Sequence, residues 1–245
     1  ENLLVVALES APIHLDPRLG TDQASSRVYE VMHSGLLTRS PEGELVPDLA
    51  TSWEVLAGGR RYRFRLRPGV VFHDGRPLGA ADVVWTFGSI LDGTVATAKR
   101  GAFQQVERVV EIDPLTVDFE LSEPYGALLA NLTSYLGIVP RGATPEEMGR
   151  APVGTGPYRL LERRPERVVF TAFEGHFAGP PAIERLELRV LAPVVLEDQL
   201  AAREHRGRGG AEGVLRDGHR ALPDELAVRV VGDQAVAAEV DDDAL

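Results

Sequence analysis

The spacing of apolar residues divides the first two thirds of the chain into short strands and helices. A continuous apolar run over 2–8 predicts a buried strand, and Asp22 is placed to cap a helix that extends to about Leu37. Over 61–67 arginine alternates with apolar residues, which predicts a strand with one buried face. Apolar residues at helical spacing predict a helix over 80–91.

The pattern continues with more strands than helices. Two β-rich arms, 106–112 and 115–121, meet at Asp113-Pro114 and predict a hairpin. Thr144, followed by a proline and two glutamates, predicts the start of a short helix. Further elements are expected at 124–132 (helix) and at 158–161, 167–172 and 183–191 (strands). Mixed strands and helices without a regular β-α-β rhythm indicate an α/β or α+β fold.

The composition fits a folded protein without thiol chemistry. The chain has 245 residues, is 44% hydrophobic and contains no cysteine, which excludes disulfides, catalytic thiols and thiolate metal sites. No apolar run approaches the roughly 18 residues of a membrane span. A net charge of −11 disfavours a nucleic-acid partner. Lys99 is the single lysine among 26 basic residues, which we attribute to codon usage.

Three groups of residues together carry a family resemblance. The first lies within 47–92 and contains Ala-Thr-Ser-Trp53, Arg63-Phe-Arg-Leu-Arg-Pro-Gly-Val and Phe72-His-Asp-Gly-Arg-Pro-Leu. The second is Gly154-Thr-Gly-Pro-Tyr, and the third is the opening strand followed by Leu15-Asp-Pro. With these motifs the chain resembles the bacterial extracellular solute-binding proteins of family 5, which serve ABC importers for dipeptides, oligopeptides and nickel.

The resemblance implies a periplasmic-binding-protein-like (type II) fold, in which two lobes close around a solute. Residues 1–37 would begin the first lobe, 38–150 would form an accessory subdomain inserted in it, and 151–193 would return to it. No aromatic residue follows Phe177, and the segment 194–245 is rich in charged residues. We therefore expect a divergent tail, a missing second lobe and a truncated or frame-altered product.

The loop that leaves the first strand is the candidate ligand site. The resemblance implies that it lines the cleft and offers main-chain groups to a bound peptide, and open α/β sheets bind ligands beyond the carboxyl ends of their strands. The candidate ligand-binding residues are Ser10, Ala11, Pro12, His14 and Asp16. For Asp16, which precedes a proline, capping of a turn is the alternative role.

Other chemistries find little support in the sequence. The six histidines show no metal-ligand spacing, and the chain has no Gly-x-Ser-x-Gly motif. We therefore expect no metal, no cofactor and no catalysis. Gly154 and Gly156 predict a structural turn that uses their access to positive φ, and Trp53 and Trp85 are expected to pack in a core.

The function implied by the resemblance is non-catalytic capture of a peptide-like solute and its delivery to the membrane subunits of an ABC permease. The expected location is the periplasm or the cell exterior, after removal of a signal peptide and with a lipoprotein anchor as one form of attachment. A solute-sensing module of a regulator and a non-functional remnant stay open as alternatives. Without a second lobe, an exposed cleft wall would favour self-association.

Overall fold

The computed structural model describes residues 2–191, 227–230 and 235–238, so most of the tail 194–245 and the predictions made for it lie outside the described residues. Four helices, α1–α4, are Gln23–Met32, Ala80–Leu91, Leu128–Asn131 and Pro145–Arg150. The strands β1–β12 are Leu3–Leu8, Leu37–Arg39, Leu45–Pro47, Ala50–Leu56, Arg61–Leu66, Val106–Asp113, Thr116–Leu121, Tyr158–Arg164, Arg167–Ala172, Arg185–Val190, Ala227–Val230 and Ala235–Ala238.

One four-stranded sheet joins the two ends of the segment 2–191. Its strand order is β1-β10-β9-β8, with β1 parallel to β10 and the other neighbours antiparallel. Its apolar face forms a first core with α1, in which Leu8, Val28, Phe170 and Leu188 are buried. Because β1, β8 and β10 run in one direction, their carboxyl ends lie at one edge of the sheet, which we call the carboxyl edge.

A second sheet has a core of its own. Its order is β4-β5-β7-β6, all antiparallel, and α2 packs against it. Phe119 contacts Phe64 and Phe87 edge to face, with ring centroids 5.4 and 4.8 Å apart. All fully buried members of this second core lie between Leu36 and Ile138. The alternation predicted over 61–67 is thus used to fill it.

Most of the elements predicted from local patterns are confirmed. The helix at 80–91, the hairpin that turns near Asp113 and the helix that follows Thr144 form as expected, the last with a capping box in which Glu147 bonds back to Thr144. The predicted extent of α1 is wrong, because the helix ends at Met32 where His33 adopts an extended conformation. Leu36, which lies within the predicted extent of α1, is buried in the second core instead.

The Gly-Thr-Gly-Pro-Tyr run lies where the two cores meet. Gly156 N–H donates to the carbonyl oxygen of Met32 at 2.9 Å. A Cβ atom on Gly154 would lie 2.0 Å from that same oxygen, and one on Gly156 would lie 2.5 Å from the carbonyl carbon. Neither glycine has positive φ, so the expected reason for these glycines is wrong. They are required because two backbones approach too closely for any side chain.

His73, from the Phe-His-Asp-Gly motif, fastens the second core to this run. Its backbone N–H donates to the Gly154 carbonyl at 2.9 Å, and its ring Nδ1 accepts from the Gly154 N–H at 3.2 Å. Its Nε2 lies 3.0 Å from the Gly156 carbonyl and must carry the ring proton, since Nδ1 is the acceptor. Two of the sequence motifs thus bond directly to each other.

The two tryptophans differ in their surroundings. Trp53 is partly buried against the second core, as the sequence predicted. Trp85 is also partly buried, and its Nε1 donates to the carbonyl of Ala143 at 3.3 Å. It therefore ties α2 to the loop that precedes α4.

Candidate functional site

The candidate loop crosses the carboxyl edge of the first sheet. It leaves β1 at Leu8, whose carbonyl accepts from Leu191 N–H at 2.9 Å just beyond β10. At the other side of the sheet, Arg163 near the end of β8 donates through Nη2 to the carbonyl of Pro12 at 3.1 Å. Since β1 and β8 are the outer strands of this sheet, the loop spans the whole edge.

The second half of the loop is fixed to α1. His14 N–H donates to Ser25 Oγ at 3.0 Å, and the Tyr29 hydroxyl donates to the His14 carbonyl at 3.2 Å. Tyr29 is fully buried, and this burial raises the pKa of its hydroxyl above the ordinary value. The hydroxyl therefore keeps its proton and stays a donor to the loop.

A buried ion pair follows directly. Arg18 contacts both carboxylate oxygens of Asp16, with Nε 3.0 Å from Oδ1 and Nη2 2.7 Å from Oδ2. The two side chains are 0% and 1% exposed. Arg18 also donates to Ser89 Oγ in α2 and to the Ala143 carbonyl. The Asp16 carboxylate is thus engaged inside the protein. Its Oδ1 also accepts from the backbone N–H of Arg18 at 2.9 Å, which is the kind of bond expected for the turn-capping alternative.

Lys99 holds the loop from another direction. Its Nζ donates to the carbonyls of Pro17 and Tyr135, at 2.7 and 2.6 Å. It also lies 3.7 Å from the ring centroid of Tyr135 and 5.0 Å from that of Tyr29. Burial lowers its pKa from 10.5 to about 7. The single lysine therefore has a defined structural position, which an origin in codon usage alone does not explain.

Between these anchors, a short stretch of backbone faces solvent. Ser10, Ala11, Ile13 and His14 are exposed, whereas Pro12 is buried. The N–H groups of Ser10, Ala11 and Ile13 have no hydrogen-bond partner within the part of the chain that the structure describes. A rigidly held backbone with free donors can bind the main chain of an extended ligand.

Among the described residues, five that the sequence did not single out as site residues hold this loop through their side chains, namely Arg18, Ser25, Tyr29, Lys99 and Arg163. Only Lys99 carried a signal, as the single lysine of the chain. The others are ordinary residue types, and their roles come from contacts with residues distant in sequence.

Two further features of the molecule concern the other classes of function. Over 2–191 and the two short strands that follow, no group of three or more histidine, aspartate or glutamate side chains is arranged to hold a metal ion. In the same residues, no helix is both long enough and apolar enough to cross a membrane.

Comparison with known proteins places this geometry in a family context. The model of the bacterial extracellular solute-binding proteins, family 5 (middle region), matches residues 44–204. A glutathione-binding protein of Pectobacterium atrosepticum is 30% identical over 204 residues, which cover 81% of this chain and 39% of that protein. A dipeptide-binding protein of Escherichia coli is 30% identical over 215 residues, covering 75% and 40%.

A solved structure agrees with these sequence matches. The oligopeptide-binding protein of Bacillus subtilis in complex with a nonapeptide superposes with a TM-score of 0.74 at 25% identity. The match covers 82% of this chain and 42% of that one. The chain therefore spans about two fifths of the length of these three proteins. The predicted mixed α/β fold of the periplasmic-binding-protein type is confirmed.

Proposed function

Because the chain belongs to family 5 of the bacterial extracellular solute-binding proteins, we propose that it captures a peptide-like solute without chemical conversion and delivers it to the permease of an ABC importer. The observation that carries this proposal is the exposed backbone between Glu9 and His14 at the carboxyl edge. The names of its relatives, a glutathione-binding and a dipeptide-binding protein, favour short peptides as the solute class.

The proposed binding mode is main-chain pairing. The free N–H groups of Ser10, Ala11 and Ile13 would bond to the carbonyls of an extended peptide, much as an edge strand accepts a further strand. Apolar side chains near the same edge would contact the peptide's side chains, because Ile13, Leu161 and Leu191 are 67%, 53% and 51% exposed. His14 would border the site. The buried Pro12 would keep the loop in place through its bond to Arg163, and Asp16 would do so through its ion pair with Arg18.

The separation of the two hydrophobic cores supports the proposed domain plan. In this plan, 1–37 and 151–193 form the first lobe and 38–150 form an accessory subdomain inserted in it. The protein would act in the periplasm or at the cell exterior, with the permease subunits as its partners. The exposed apolar side chains at the carboxyl edge would also allow self-association of the protein, and a bound solute should then compete with this self-association.

Backbone amide exchange tests the proposed site without altering it. With the full chain isotopically labelled, exchange rates are measured by NMR with and without a series of di- to tetrapeptides, including glutathione. Binding at the proposed site should slow exchange at Ser10, Ala11 and Ile13, because their N–H groups become bonded. The amides of Glu123 and Gly126, two exposed residues of another turn, serve as the control and should not change.

Two results would overturn the proposal in different ways. Saturable peptide binding without protection at Ser10–Ile13 would place the site elsewhere in the protein. A failure of every peptide to bind, while the chain is folded and monomeric, would remove solute capture by this chain. A size-exclusion measurement in the same buffer establishes the second condition.

A further inference from the structure

A small cavity lies beside the candidate loop, at the far side of the carboxyl edge. It has a volume of about 290 Å³ and is lined by Ala11, Pro12, Arg163, Arg164, Pro165 and Val168. Pockets that enclose a whole small ligand usually measure roughly 300–1,000 Å³. This cavity therefore suits one functional group of a solute rather than an entire molecule.

Its charge is set by arginines at the end of the β8–β9 hairpin. Arg164 and Arg167 both pair with Glu162, so that the charge of this carboxylate is shared between two guanidinium groups. Glu166 also lies exposed in the turn. The Arg163 side chain forms no ion pair with any described residue, and its one hydrogen bond goes to the uncharged Pro12 carbonyl.

The unused hydrogen-bond donors of Arg163 indicate that it can bind an anion. A guanidinium group carries five N–H donors, and the bond to Pro12 uses one of them. Arginine binds carboxylates through two parallel hydrogen bonds, which gives both energy and orientation. The same bond to Pro12 fixes the guanidinium next to the free backbone of Ser10 and Ala11, where the proposed peptide would lie.

We propose that Arg163 and this cavity form a subsite for a carboxylate of the solute, either its terminal carboxylate or an acidic side chain. The inference rests on the proposed function for its biological meaning. Its chemistry stands on this chain alone, because a carboxylate can be offered to the cavity without the rest of a peptide.

The first arm of the test uses acetate as the probe. With the arginine side chains of the full chain labelled with ¹⁵N, the Nε–Hε signal of Arg163, assigned by its loss in Arg163→Lys, is followed during titration with sodium acetate. Sodium chloride at equal ionic strength is the reference. A saturable shift at Arg163 that chloride does not reproduce is the expected result, and its absence overturns the inference.

The second arm uses matched peptides and calorimetry. Tetra-alanine is compared with its C-terminal amide, which tests the terminal carboxylate. The glutamate-containing form of the amide is compared with the glutamine-containing form, which tests an acidic side chain. Because Arg163 is exposed, and an exposed ion pair contributes at most about 1 kcal/mol, at least one acid should bind about threefold to fivefold more tightly than its uncharged partner.

Variants separate direct contact from an effect through the loop. Arg163→Gln should abolish the preference for the acid over the amide, even if loss of its bond to Pro12 also weakens binding of both peptides. Arg159→Gln, on an exposed arginine of the same strand, should preserve the preference. An equal loss for acid and amide in Arg163→Gln would show that Arg163 only positions the loop, and would overturn the subsite.

The two arms distinguish the two proposals. Peptide binding without a saturable acetate shift rejects the subsite and retains solute capture. An acetate site at Arg163 without any peptide binding retains the subsite and rejects solute capture by this chain. Peptide binding with no preference between any acid and its uncharged partner also overturns the subsite.

Discussion

Mild acid should weaken the contact between the two cores, because two histidines at this contact, His33 and His73, are held in the neutral form. His33 is 1% exposed, and burial lowers its pKa from 6.5 to about 3. Burial also lowers the pKa of His73 from 6.5 to about 4. When the folded-state pKa of a histidine is depressed, its stabilising contribution is fully present above the unfolded-state pKa and is lost as the pH falls towards the folded-state value.

Proton linkage gives the size of this loss. Between about pH 6.5 and about pH 4.5, the unfolded chain gains a proton at each histidine while the folded chain largely does not. The free energy of unfolding then falls by about 2 kcal/mol per histidine, or about 4 kcal/mol together. Asp48 acts in the opposite direction, because burial raises its pKa from 3.8 to about 6. Its protonation returns about 2 kcal/mol, which leaves a net loss of about 2 kcal/mol.

Urea unfolding followed by tryptophan fluorescence at the two pH values measures this loss. His33→Gln and His73→Gln should each remove about 2 kcal/mol of the pH dependence, whatever they do to stability at the higher pH. His14→Gln, at an exposed position on the candidate loop, is the matched control and should retain the full dependence. If the double variant of His33 and His73 loses stability with acid as steeply as the wild type, the reasoning is refuted.

Two further predictions concern close packing and the buried ion pair. Gly154→Ala should lower the free energy of unfolding by more than about 3 kcal/mol, because the new Cβ would lie 2.0 Å from a backbone oxygen. In contrast, Gly88→Ala should raise the free energy of unfolding by up to about 1 kcal/mol in the same urea assay, because a Cβ at this position inside α2 would meet no atom within 4 Å. Equal effects of the two substitutions would contradict the geometry. Asp16→Asn should lower the free energy of unfolding by about 3–5 kcal/mol, measured by thermal unfolding, because it leaves a buried guanidinium unpaired. The control, Glu54→Gln in an exposed ion pair, should lower it by less than about 1 kcal/mol. A small loss for Asp16→Asn would show that water reaches this ion pair.

The sequence predicted those elements that are determined by their own residues. The helix after Thr144 begins with a proline and a capping box, and the β6–β7 hairpin turns at Asp113, where the sequence has a turn signal. The end of α1 was mispredicted in spite of a local signal. Met32 and His33 are followed by Ser34 and Gly35, and a glycine after a helical run favours a helix end, but Leu36 continues the apolar spacing of Val28 and Met32. That Leu36 belongs to the second core could not be read from this local pattern.

The candidate loop shows the same limit more clearly. Its position after a strand was readable from the sequence, but the contacts that hold it were not. Arg163 bonds to Pro12 across 151 residues, and Arg18 bonds to Ser89 across 71. No local pattern records such a pair, because each residue type, a proline, a serine or an arginine, is ordinary when taken alone. Only the topology of the sheet and the approach of α2 bring them together.

These contacts also give the second core a role at the proposed site. Arg18 reaches α2 and the loop before α4, and Lys99 joins the end of the candidate loop to Tyr135. The first sheet positions the start of the loop, and the second core fixes its end. A ligand that bonds to the exposed backbone between them meets donors that are already ordered, so less conformational entropy is lost on binding. In the proposed function, the second core would therefore contribute to solute capture without touching the solute.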